Sequence, residues 1–140
     1  LQRTADRLLP GQVEIGCHRN TEMPELLRSG DLFVHPSIAD LESVSVIEGM
    51  ASGLVPVIAA SSLSAAGQFS LLDESLFPVG DVAALAQRID WWIDHPDELS
   101  AWGARYAEHT RTHYSVEASV RRFVAMEREV IAGRSGARNV

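Results

Sequence analysis

Apolar positions along the 140-residue chain follow two rhythms: short unbroken runs, and longer stretches that recur every three or four residues. Residues 1–9 read as a helix, followed by the turn Pro10-Gly11 and a short strand, QVEIG. The next helix, EMPELLRS, has Thr21 as its cap, Pro24 in its first turn and Gly30 as its stop. DLFVHPS reads as a nearly continuous apolar strand that ends in a Pro turn. Ser45-Val46-Ile47-Glu48 has the S-x-x-E spacing of a capping box and opens a helix that stops at Gly53. LVPVIAA is the next strand, where Pro56 weakens the ladder only locally, and LFPVG is a short extended piece.

Three helices close the chain. Asp81 caps DVAALAQRIDWWID, with an apolar stripe through Val82, Leu85, Ala86, Ile89, Trp92 and Ile93. Pro96 begins the second, where Leu99, Trp102 and Tyr106 recur at helical spacing. Ser115 caps the third, which carries Val116, Val120, Phe123, Val124, Glu127 and Ile131 on one face. Residues 133–140, GRSGARNV, form a polar tail expected to fray. Apolar strands each followed by a helix imply a parallel sheet covered on both faces. The expected fold is therefore α/β, a Rossmann-like doubly wound parallel sheet over residues 1–132 that closes with three helices. Its ligand site belongs at the carboxyl ends of the strands.

Composition narrows the function classes. A net charge of −7 without a Lys/Arg stripe argues against nucleic acid as a main partner. A single cysteine, Cys17, excludes an internal disulfide and makes a reducing, cytoplasmic compartment the default. No apolar run approaches the roughly 20 residues that span a bilayer. The opening LQRTADRLLP has neither a signal-peptide core nor an initiator Met, and the chain reads as a part of something longer.

The loop 36–45 lies where the strand-end rule puts a ligand. A helix N-terminus attracts phosphate, and Ser43, Val44 and Ser45 would offer amides there behind short side chains. Glu48 could reach the same space, where a carboxylate suits the paired hydroxyls of a ribose. Asp40 and Glu42, on the loop, could hold further hydroxyls. Spacing alone favours a plainer explanation, in which Glu48 completes a capping box and the loop acids are solvated. Other candidates are weaker. The dinucleotide and P-loop glycine fingerprints are missing. His109 and His113 share a helix face with no third metal ligand in sight. Ser61, Ser62 and Ser64 lack a nucleophile elbow. Adjacent Cys17 and His18 do not face each other. Trp91 and Trp92 read as one surface and one core residue.

The segment HPSIADLESVSVIEGMASGLVPVIA resembles the signature of retaining GT-B glycosyltransferases of family 4, the glycosyl transferases group 1. That pattern has a strand ending in Pro-Ser, an acidic residue four positions after the Pro, and a Glu eight further on, matched by Pro36, Asp40 and Glu48. A run like Gly49-Met50-Ala51-Ser52-Gly53 and Val55-Pro56-Val57-Ile58 follows. The resemblance implies the C-terminal, nucleotide-sugar-binding domain of such an enzyme, truncated at its N-terminus. It implies Glu48 on the ribose, Asp40 in the catalytic position beside the donor sugar, and amides around Ser43 and Val44 on sugar and diphosphate. It places the base beside Gly16, Cys17 and His18. Asp40 replaces the usual Glu, and the usual G-F-G reads Leu41-Glu42-Ser43, so Glu42 could substitute for the shorter Asp40. The enzyme implied transfers a hexose from a nucleoside diphosphate sugar to a glycan, lipid or small acceptor, without a metal or other cofactor. Its acceptor-binding N-terminal domain would precede Leu1, so the chain alone is expected to be inactive. Peripheral placement at the inner face of a membrane stays open. The alternatives are a non-catalytic interaction domain with the same fold, and an unrelated flavodoxin-like or receiver-type domain.

Overall fold

The computed structural model describes residues 1–137, so the last three residues of the expected tail lie outside it. In chain order the elements are α1 (Gln2–Leu8), α2 (Met23–Arg28), β1 (Leu32–His35), β2 (Ala39–Asp40) and α3 (Val44–Ala51). Then come β3 (Val55–Ala60), β4 (Leu63–Ser64), two short 3-10 turns, β5 (Leu76–Pro78), α4 (Val82–Asp94), α5 (Pro96–His113) and α6 (Val116–Ala137). The main sheet is parallel in the order β1-β3-β5, with Val34 opposite Val57 and Ile58 opposite Leu76. A second parallel pair, β2-β4, stands beside the end of β1. This is the expected α/β architecture.

β3 is the middle of the core because it is apolar on both faces: Val55, Val57, Ile58 and Ala59 are all buried. Val46 and Met50 of α3, Trp92 of α4 and Tyr106 of α5 close over it. Fully burying a side chain such as Ile58 or Met50 contributes about 1.5–3 kcal/mol. The Tyr106 hydroxyl stays satisfied in the core, accepting from the Leu71 amide at 3.0 Å and pairing with the Ser75 hydroxyl at 3.1 Å.

Two glycines set the seat of α3. A Cβ on Gly49 would lie 2.7 Å from Cγ of Phe33, so only a glycine lets α3 press this closely onto β1. Gly53, at φ +88°, ends the helix as expected. Its amide reaches the Met50 carbonyl and the Leu54 amide reaches that of Gly49, a complete Schellman motif.

The structure departs from the sequence reading in four places. QVEIG forms no strand; it runs as coil, with no ladder partner among the described residues. Thr21 does not cap α2, which starts after Glu22, while the Glu22 carboxylate turns back to the Arg19 amide and guanidinium. On α4 the buried side is set by Leu85, Ile89 and Trp92, and Val82, Ala86 and Ile93 face solvent. Among the residues of α6 whose side chains are described, only Ala118 is buried; Val116, Val120, Phe123 and Ile131 are exposed, because the helix leaves the body after Ser115 with α5 as its main neighbour. Its backbone stays helical to Ala137, past residue 132.

Candidate functional site at the head of helix α3

β1 delivers His35 to its carboxyl end, and Pro36 then turns the chain out of the sheet. The loop is fixed again at once: Asp40 pairs with Ser64 across β2-β4, and its carbonyl accepts from the Ala65 amide at 2.9 Å. Three residues later Ser43 sits in the left-handed region at φ +51°, an uncommon conformation for a residue with a Cβ. Ser43 is the N-cap of α3, yet its buried hydroxyl makes no hydrogen bond.

The sequence reading put the cap two residues further on. Ser45 is already the second helical residue and Glu48 the fifth, so the expected capping box between them does not form. Asp40 does the work from the loop. Its Oδ1 accepts from the Ser43 amide at 2.9 Å and the Glu42 amide at 3.3 Å. Its Oδ2 lies 3.3 Å from Nε2 of the buried His35, off the line of a hydrogen bond; the contact is an ion pair only when the imidazole is protonated. The Ser43 amide first, then the Glu42 amide and the imidazole, hold the Asp40 carboxyl below the usual aspartate range, against the opposing effect of desolvation. Only 29% of the Asp40 side chain is exposed.

Because no side chain caps α3, the Val44 and Ser45 amides at its head find no acceptor among the described residues. The first turn holds no acidic residue either, so the positive end of the helix dipole is open to an anion from outside. Further along the same helix, Glu48 is exposed and borders a cleft of about 270 Å³ between α2 and α3. Asn20, Met23, Pro24, Leu27 and Arg28 form the other wall. Aliphatic side chains flanked by an amide, a carboxylate and a guanidinium suit a nucleoside, which is greasy on its faces and polar at its edges. A larger groove of about 670 Å³ on the other side of Glu48 is lined mainly by apolar residues of α3 and α5. The charged pair at its border, Glu108 and Arg111, is already mutually neutralised at 2.6 Å.

Of the residues named from sequence, Asp40, Glu42, Ser43, Val44, Ser45 and Glu48 fall on one loop and helix head. Gly16, Cys17 and His18 are exposed in the coil before α2, and the wall opposite Glu48 is built from Asn20 and α2 instead. Sequence reasoning missed His35, Asn20 and Arg28. The signal for His35 was a polar residue closing an otherwise apolar strand. Half-buried His109 and exposed His113 stack at 4.2 Å on α5, and no group of three or more metal-binding side chains occurs among the described residues. Burial first, and then His113, push the His109 pKa down.

A parallel α/β sheet with an uncapped helix head beyond the carboxyl end of its first strand belongs to the class of open α/β folds that bind their ligands at that end. The family model described as glycosyl transferases group 1 matches residues 2–109, and the chain belongs to that family. The crystal structure of the catalytic domain of cholesterol-alpha-glucosyltransferase from Helicobacter pylori is 31% identical. It superposes with a TM-score of 0.72 over 82% of this chain and 74% of that one. No curated protein is similar enough to count as a match. The fold is that of a GT-B glycosyltransferase domain, as the resemblance implied.

Proposed function

We propose that the chain binds the nucleoside diphosphate sugar of a retaining hexosyltransferase. The observation that carries this reading is the uncapped head of α3 on the same helix as Glu48, at the carboxyl end of β1. The diphosphate lies on the Val44 and Ser45 amides, the ribose on Glu48, and the base in the cleft against Asn20, Met23 and Leu27. The sugar then meets the loop that carries Asp40 and Glu42. As the acceptor oxygen bonds the anomeric carbon, the bond to the diphosphate breaks and the acceptor proton passes to the departing oxygen. Charge that grows on the diphosphate is met by amides that are already in place, and a donor for that charge fixed in advance speeds the step. No metal is called for in this arrangement. The acceptor, a glycan, lipid or small molecule, comes with an N-terminal domain of the same polypeptide. No helix among the described residues is long and apolar enough to cross a membrane.

Calorimetric titration of the full-length protein with UDP, GDP and ADP tests this. One of them binds, and Glu48→Ala weakens it at least about tenfold, as loss of a charge-assisted hydrogen bond does, with the melting temperature unchanged. A folded protein that binds none of the three overturns the reading and promotes an interaction domain that has kept the fold.

A further inference from the structure

We propose that Glu42 is the carboxylate that meets the donor sugar, and that Asp40, backed by His35, is a positioning residue that shapes the loop beneath it. This rests on the donor-site reading above and divides the two acids that the resemblance left side by side. Asp40 occupies the position the family pattern gives to its sugar-side acid, but its carboxylate is turned into the fold. Oδ1 already accepts from two amides and Oδ2 faces a buried imidazole. To reach a sugar it would have to release the Ser43 amide and with it the support of a left-handed serine.

Glu42 is placed in the opposite way. It is exposed, next to the solvent-facing Leu41, and its carboxylate makes no hydrogen bond or ion pair among the described residues. It also precedes the Val44 amide by two residues, so a group attached to a diphosphate at that amide falls within its reach. A carboxylate with both oxygens free accepts from two adjacent hydroxyls at once, which selects a hexose with a free vicinal pair. The Asp40 carboxylate has one oxygen occupied twice and offers no such fork.

The test is the affinity gained from the sugar, measured in the full-length protein by comparing UDP, GDP and ADP with their glucose esters. Glu42→Gln weakens binding of the glucose ester about tenfold and leaves the bare nucleoside diphosphate unchanged, the size expected for a charge-assisted hydrogen bond. Asp40→Ala weakens both ligands together, because the head of α3 loses its support, and Asp40→Asn, which keeps an acceptor for the Ser43 amide, restores both. That rescue separates positioning from contact. If Asp40→Asn removes only the part of the affinity due to the sugar, or Glu42→Gln changes nothing, the division of roles is wrong. If the wild type binds a nucleoside diphosphate and gains nothing from the sugar, this inference falls alone. If it binds no nucleotide, the donor-site reading falls first and takes this one with it.

Discussion

Helices α3 and α4 both follow a short strand and both begin beside an aspartate, yet the two starts are built differently. At α4 the aspartate is the N-cap itself: Asp81 is extended and its Oδ1 accepts from the Ala84 amide at 2.9 Å. The helix thus carries its own anion at its positive end. At α3 the aspartate stands three residues before the N-cap and binds amides in front of the helix, while the N-cap serine is left-handed and buried and its hydroxyl is unbonded. One start is complete as folded and the other is held in shape with its charge unanswered. A helix head that is rigidly supported and electrostatically incomplete is what anion binding requires, and a satisfied cap is what stability alone requires.

The contrast depends on α3 being locked in place, and the largest expected effect comes from unlocking it. Gly103 of α5 lies against the end of α3, where a Cβ would fall on the backbone carbonyl oxygen of Gly53. Backbone cannot swing aside as a side chain can, so Gly103→Ala must push α5 off α3. The expected cost is about 3 kcal/mol in chemical denaturation, at the upper end for overpacking. An unchanged midpoint would mean that α3 is not held from this side.

Much of this architecture was legible in the sequence because it follows from local chemistry. Unbroken apolar runs marked β1 and β3, Asp81 and Ser115 marked their caps, and Gly53 marked the end of α3. The misses share a cause, which is that the partner lies elsewhere. QVEIG has the composition of a strand but no ladder to join among the described residues. The stripe on α6 shows which face needs cover and cannot show that most of it is exposed. At the site, the residues were legible and their geometry was not. Ser45 and Glu48 have capping-box spacing, but the real cap is Ser43, and only a left-handed backbone held by Asp40 puts it there. That φ also gives a physical reason for the glycine the family pattern has at this position, where this chain has serine.

A smaller effect sharpens the comparison from the α4 side. Asp81→Ala removes an ordinary cap and lowers stability by about 1 kcal/mol. Because that head carries no ligand, nucleotide affinity stays as in the wild type. The pairing with Glu48→Ala is what informs. One variant loses stability and keeps binding; the other keeps stability and loses binding. Were Asp81→Ala to lower affinity as well, the two helix heads would not be independent and the distinction between them would fail.

The smallest effect concerns Ser43 itself. Glycine adopts φ +51° without the clash that a Cβ brings, and Ser43→Gly also removes a buried hydroxyl that has no partner. Against these gains stands the greater freedom of glycine in the unfolded chain, which costs roughly 0.5–1 kcal/mol. The balance is a stabilisation of about 0.5 kcal/mol, visible as a small rise in the denaturation midpoint. The amide to Asp40 survives the change, so a hydroxyl with no role leaves nucleotide binding untouched. If the variant gains stability and loses binding, the serine hydroxyl is a ligand group, left unbonded in the fold because its partner is the donor.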